Sequence, residues 1–374
     1  MASSSLLLTP SEEFRSLPKC LRTASATAQR IKETTMVHSS QPAALPSPTQ
    51  LDMIRIFNNK NVLFLDDSGA RSKELNINYY QRAYFQTINY ETNNRIAYIT
   101  LNRPEVLNSI DGLMPKELSE CVEKANNDSS VHVIILSGAG KAFCSGYDLS
   151  FNAKNKNVKA VQDMPWDSMK DYTYMKQNTE YFMSLFRSFK PTICKIHGDA
   201  LAGGSDIALC CDIILMANEA HIGYMGVRVW GCPTTAMWIY RLGIEKAKRV
   251  LLTGDKITGI EAEKLGLVLK SVPQEQLNNE VDKLAHRMST IPINQLIMQK
   301  LMINQALENM GLRTTQMFAT LFDGIARHSP EGIAFKNRSE SVGWKTAVKE
   351  RDAGTYDWTN DVPFDIKKED NNQK

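Results

Sequence analysis

Nothing in this chain of 374 residues runs apolar for long, and a helical membrane span needs about 20 predominantly apolar residues. A span is therefore not expected. Lys and Arg number 44 against 41 Asp and Glu, a formal net charge of +3. That is too weak an excess to imply a nucleic-acid surface. Cysteine is scarce, at 7 residues, an odd count without repeated metal-type spacing. This argues against a disulfide framework or a metal site, and for reduced thiols in an intracellular setting. No fixed-period repeat is present. What remains is the composition of an ordinary globular protein, 43% hydrophobic and 23% charged. Its length suffices for a sizeable core in one large domain, or two smaller ones, plus tails.

The ends differ from the middle. Residues 1–50 are rich in Ser, Thr, Ala and Pro without sustained apolar periodicity, the composition of a disordered tail. Within them, Arg15, Lys19, Arg22, Arg30 and Lys32 occur with no acid between, which fits a mitochondrial transit peptide. Glu12 and Glu13 count against it, and a plain tail on a cytoplasmic protein fits equally. Residues 361–374 read as a flexible polar tail, and Asn371 to Lys374 match no peroxisomal or retention signal.

Between the tails, strand and helix patterns alternate. Arg95–Asn102, Val131–Ser137, Thr192–His197, Ile213–Met216, His221–Ile222 and Leu267–Leu269 read as strands, and Ala142–Leu149 as a short strand and turn. Gly112–Asn127, Phe182–Phe189, Thr234–Leu242, Ile244–Leu252 and Thr258–Leu265 read as helices. The last has Thr258 and Glu261 at capping-box spacing and Gly266 as its stop. Long helices fill roughly 274–349. The expected fold class is α/β, layered, with a helical C-terminal part.

One segment carries chemistry. In Leu201-Ala-Gly-Gly-Ser-Asp-Ile-Ala-Leu-Cys-Cys-Asp212, a helix starting at Gly203 presents free N–H groups and a positive dipole end to a developing negative charge. Asp206 lies one turn further on, placed to handle protons beside that charge. Cys210 and Cys211 fall on the apolar helix and read as small core residues.

Ile99-Thr-Leu-Asn-Arg-Pro104 with Asn108, Gly138-Ala-Gly-Lys-Ala-Phe-Cys-Ser-Gly-Tyr-Asp-Leu149, Lys190-Pro-Thr-Ile-Cys-Lys-Ile-His-Gly198, the segment 201–212, and Leu252-Thr-Gly254 with Glu261-Ala262 and Gly266-Leu-Val268 occur in order. Together these motifs resemble the crotonase (enoyl-CoA hydratase/isomerase) superfamily from about Tyr90 to Pro273. The resemblance implies a crotonase-like spiral of ββα units over 84–272. It also implies a helical oligomerisation region over 273–350 that packs into a homotrimer or dimer of trimers. It implies an acyl-CoA thioester substrate, with coenzyme A part of that substrate and no separate cofactor. By motif, the thioester oxygen accepts N–H bonds from Tyr147 and Gly203, donors typically worth ~3–4 kcal/mol each in barrier height.

The family's hydratases place two glutamates about a water. The first position holds Asp206, one methylene shorter; the second holds Gly226, and His221–Gly231 contains no acid at all. The reading is therefore an enoyl-CoA hydratase working with one carboxylate. Its rivals are an enoyl-CoA isomerase, a thioester hydrolase, or a CoA-binding scaffold without catalysis.

Asp148 and Asp212 read as structural, Asp199 as facing either pocket or solvent, and His197 and His221 as core residues. Tyr224, Arg228 and Trp230 shape the substrate or stack among themselves. Lys154, Lys156 and Lys159 meet CoA phosphates or solvent. The stretch 151–179, with Met164, Trp166, Met169, Tyr172, Tyr174 and Met175, reads as a loop walling a wide acyl pocket.

Overall fold

A computed structural model describes residues 85–149, 162 and 165–363. The readings of 1–50, of Lys154, Lys156, Lys159 and Met164, and of the tail after Pro363 fall outside the described residues.

The larger sheet has six strands, numbered in chain order: β1 (Ile88–Asn93), β2 (Ile96–Leu101), β3 (Val133–Gly138), β4 (Thr192–Ile196), β6 (Ile213–Ala217) and β9 (Lys270–Val272), adjacent in that order. β1 and β2 form an antiparallel hairpin, and every later pairing is parallel. Asn94 and Arg95 both take positive φ, 47° and 66°, as a two-residue hairpin loop requires. β3 is buried along nearly its whole length, as a parallel strand covered on both faces should be. A second sheet joins β5 (Ala200–Leu201) in parallel to β7 (His221–Gly223), which pairs antiparallel with β8 (Lys256–Thr258). This is the α/β fold expected; β1, β5 and β8 are additions to the strands read from sequence, and the expected strand at Ala142–Leu149 contributes only isolated bridges at Cys144 and Tyr147.

α1 (Met114–Asn127) buries Met114, Leu118, Cys121, Val122 and Ala125, the apolar stripe of its sequence. α2 runs Ser168–Arg187, so three quarters of the expected loop over 151–179 that can be described is helix instead of coil. Asp167 caps it by accepting the Met169 and Lys170 N–H groups. Its inward face, Asp171, Met175, Asn178, Thr179 and Phe182, keeps helical spacing while mixing polar with apolar, which masks the periodicity.

α3 (Gly203–Leu209) is followed by α4 (Met237–Leu242), α5 (Ile244–Thr253) and α6 (Gly259–Leu265). α4 starts three residues later than expected, because Ala236 at φ 57° breaks the helical path. The Thr258 side chain accepts the Glu261 N–H, and Gly266 ends α6 at φ 80°. Leu267 and Val268 donate back to Ala262, so the ladder is delayed and β9 sits at 270–272 instead of 267–269.

The C-terminal helices are α7 (Gln274–Ser289), α8 (Ile293–Asn309), α9 (Leu312–His328), α10 (Pro330–Val342) and α11 (Trp344–Ala353). Lys300 staples α8 to the strands. Its Nζ lies 2.8 Å from Asp212 Oδ2 and donates to the Leu185 and Lys190 carbonyls at 2.9 and 3.1 Å. Three acceptors of this kind are what allow an ammonium to sit 6% exposed. No helix of the described residues is long and apolar enough to cross a membrane.

Candidate active site

Two turns converge at the N-terminus of α3. In the first, Gly146 at φ 93° lets the chain reverse between Ser145 and Tyr147. Ile110 then bridges to this turn through its N–H to the Gly146 carbonyl and its carbonyl to the Asp148 N–H. The bridge leaves the Tyr147 N–H outside it. In the second turn, Ala202 takes φ 49°, ψ −124°, and its carbonyl gathers the Ser205 and Asp206 N–H groups as α3 begins.

Glycine is needed at both turns because the chains touch. A methyl group on Gly146 would stand 3.0 Å from Leu201 O and 3.4 Å from Gly203 N. One on Gly203 would lie 2.9 Å from Ile110 Cδ1 and 3.0 Å from the Tyr147 ring. Tyr147 and Gly203 thus sit side by side, and both line a cavity of about 740 Å³. That is the size of a site for a sizeable organic ligand. Met175, Leu201, Tyr224 and Trp230 supply apolar wall, and α11 closes one side with Trp344 and Val348. A neighbouring cavity of about 710 Å³ shares Leu107, Ser145 and Leu201 with the first.

Asp206 is on α3 as expected, but its side chain is not among those lining the cavity. It is 1% exposed, and Thr235 Oγ1 donates to its Oδ1 at 2.5 Å. Burial pushes its carboxyl up to about 8, against the opposing effect of the Thr235 hydroxyl, and nearby Asp323 adds to the rise. At neutral pH the neutral acid predominates.

Two of the acids that reach the cavity were not singled out in the sequence. Asp323 on α9 and Asp171 on α2 both line it, with Arg327 between them. Arg327 forks onto Asp171, both contacts 3.0 Å, and reaches Asp323 Oδ2 from Nε at 3.2 Å and Nη2 at 3.0 Å. Asp323 Oδ1 accepts the Cys232 N–H at 3.1 Å. Burial raises the Asp323 carboxyl above its ordinary range, and Arg327 opposes that rise. Gly324 makes the approach of α2 to α9 feasible, since a methyl there would lie 2.3 Å from Asp171 Oδ2. In sequence, Asp323 and Arg327 look like an ordinary surface pair four residues apart; the only hint was their place amid Phe322, Gly324 and Ile325.

Other expectations resolve individually. Gly226 and Tyr224 line the cavity; the Tyr224 hydroxyl donates to the Cys232 carbonyl at 2.8 Å. Trp230 lines it too and packs on Phe335 at 5.1 Å, whereas Arg228 pairs with Asp255 at 3.6 Å. Asp148 lines the cavity and pairs with Arg103 at 3.1 Å. Asp212 accepts from the Thr192 N–H and hydroxyl at the entry to β4. Asp199 faces the neighbouring cavity and holds His221 at 3.1 Å, while His197 contacts the Gly140 carbonyl at 3.0 Å. Of the expected pocket wall, Tyr174 and Met175 reach the cavity; Trp166 stacks on His328 at 4.5 Å, and Met169 is 62% exposed.

The chain is similar to known proteins throughout this region. A family model described as Enoyl-CoA hydratase/isomerase matches residues 91–341. A crystal structure of an enoyl-CoA hydratase from Mycobacterium smegmatis is 44% identical, with a TM-score of 0.69 over 73% of this chain and 95% of that one. An enoyl-CoA hydratase/isomerase structure from Xanthobacter autotrophicus is 28% identical, with a TM-score of 0.66 over 72% of this chain and 98% of that one. A putative enoyl-CoA hydratase of Mycobacterium tuberculosis is 30% identical over 301 residues, 73% of this chain and 88% of its own. With this fold, these paired turns and these matches, the chain belongs to the enoyl-CoA hydratase/isomerase, or crotonase, superfamily.

Proposed function

We propose that the protein is an enoyl-CoA hydratase that adds water across the double bond of a 2-enoyl-CoA thioester. The observation that carries this reading is the contact of the two turns: Tyr147 and Gly203 meet at one cavity wall, where a side chain on Gly146 would crowd the Gly203 amide. Two N–H groups there would donate to the thioester oxygen as negative charge forms on it when water attacks C3. Asp206 would position the water and exchange a proton with the substrate. Its side chain lies behind the cavity wall, so that role needs a group that reaches the water.

Coenzyme A enters as part of the substrate, and no separate cofactor is called on. The apolar residues left exposed on α8 and α9, among them Met302, Phe318, Phe322 and Ile325, support a homo-oligomer, trimeric or a dimer of trimers. Isomerisation of a 3-enoyl thioester would use the same oxyanion site and stands as the second reading.

The test is to incubate the purified protein with crotonyl-CoA and longer 2-enoyl-CoAs while following the conjugated-thioester absorbance. Loss of absorbance with formation of 3-hydroxyacyl-CoA is expected. A flat trace at every chain length overturns the hydratase reading, and conversion of 3-enoyl-CoA alone would install the isomerase in its place.

A further inference from the structure

We propose that Asp323, brought in by α9 and held by Arg327, is the carboxylate that takes the proton from the attacking water, in the role for which segment 221–231 offers no acid. The inference rests on the hydratase reading and deepens it. Asp323 lines the same cavity as Tyr147 and Gly203, and Asp206 does not.

Its position relates to the empty one at Gly226 through a single tyrosine. A methyl group on Gly226 would touch the Tyr224 ring at 3.1 Å. One on Gly231 would lie 3.6 Å from the hydroxyl of that same tyrosine and 2.9 Å from Asp323 Oδ1. The carboxylate therefore comes up to the far end of Tyr224, from a helix nearly a hundred residues away in the chain. Gly231, at φ 137°, leaves room for it. Arg327 occupies Oδ2 with two N–H groups, and Cys232 N–H meets Oδ1, so the carboxylate is fixed in orientation while it faces the cavity.

The step balances without any further reactant. An O–H bond of water breaks as its oxygen bonds to C3, and Asp323 takes the proton. The double-bond electrons move to the thioester oxygen, and the enolate collapses as C2 takes the proton back from Asp323. Asp323 ends the step as it began, ionised opposite Arg327. The charged and titratable groups facing Asp323 are Arg327 on its own helix, Asp171 on α2, Asp206 on α3, Tyr147, and Tyr224 and Cys232 before α4.

Asp323→Asn in the full-length protein tests this, with crotonyl-CoA as substrate and binding of unreactive butyryl-CoA as the check on folding. Expected is a fall in kcat of about 100-fold or more, KM little changed, butyryl-CoA still bound, and loss of the acidic limb of the kcat/KM profile. Asp323→Glu, which keeps a charge opposite Arg327, should recover the limb and part of the rate. Asp323→Asn that binds butyryl-CoA and turns over within about threefold of wild type overturns the proposal and leaves the hydratase reading intact. If Asp323→Asn no longer binds butyryl-CoA, the pH profile of Asp323→Glu decides: an acidic limb unmoved from wild type overturns the proposal, and a shifted limb at unchanged KM upholds it. Wild-type protein inert toward every 2-enoyl-CoA overturns the hydratase reading and the role of Asp323 with it.

Discussion

The Thr235 hydroxyl donates to Asp206 Oδ1 at 2.5 Å inside a fully buried pair. It is the contact that tempers the burial of this carboxyl. Thr235→Val removes the donor at nearly constant volume and leaves a buried acceptor with one bond fewer. Urea unfolding at pH 7 should show a loss of about 1–3 kcal/mol. No loss would mean that the pair contributes nothing to the fold.

Asp206 also sets a pH dependence of stability. Its folded pKa, about 8, lies above the ordinary 3.8, so between these values the folded chain binds the proton that the unfolded chain has released. The favourable contribution is whole below the lower value and is lost as pH rises through the upper one, with a slope of at most about 1.4 kcal/mol per pH unit. Asp206→Asn should flatten the urea midpoint between those two pH values relative to wild type. Parallel curves for the two proteins would refute the raised pKa.

Gly203→Ala drives a methyl against Ile110 and the Tyr147 ring, 2.9 and 3.0 Å away, so the ring and its amide must shift. Loss of one well-aimed donor typically lowers kcat by about 10²–10³. Steady-state kinetics on crotonyl-CoA should show that fall, with a thermal midpoint only modestly reduced.

Ala202 holds φ 49°, ψ −124° with a side chain present. A residue in so sparsely populated a region costs about 1–3 kcal/mol, while a glycine gives back about 0.4–1 kcal/mol through the freedom of the unfolded chain. Ala202→Gly should therefore raise the midpoint of chemical unfolding. A lowered midpoint would show that the methyl is held by packing that outweighs the backbone strain.

Met302 and Phe318 leave 63% and 49% of their surface exposed. If α8 and α9 meet other copies, Met302→Glu with Phe318→Glu should reduce the mass measured by light scattering while the far-ultraviolet dichroism stays helical. Unchanged mass would remove these helices from the subunit interface.

Much of this was legible in the chain, for identifiable reasons. β3 and β4 are short β-branched runs closed by turns, and a parallel strand buried on both faces has no other sequence pattern. The helix at Gly203 was legible because its glycines, its acid and its apolar tail fall in one short stretch. α2 was obscured by the polar residues Asp171, Asn178 and Thr179 on its buried face. The acidic wall escaped for a different reason. Asp171, Asp323 and Arg327 come from two helices distant in sequence, and their meeting depends on Gly324 lacking a side chain, which no local pattern reports.

The order of the chain gives that wall a consequence for synthesis. The turns at Gly146 and Gly203 leave the ribosome well before α9 and α11, which bring Asp323, Trp344 and Val348 to the cavity. A nascent chain stalled near residue 310 has both turns but one side of the cavity open to water. Truncated products of this gene should therefore be inert as enzymes however well their sheet forms, and their exposed apolar wall marks them for capture by chaperones.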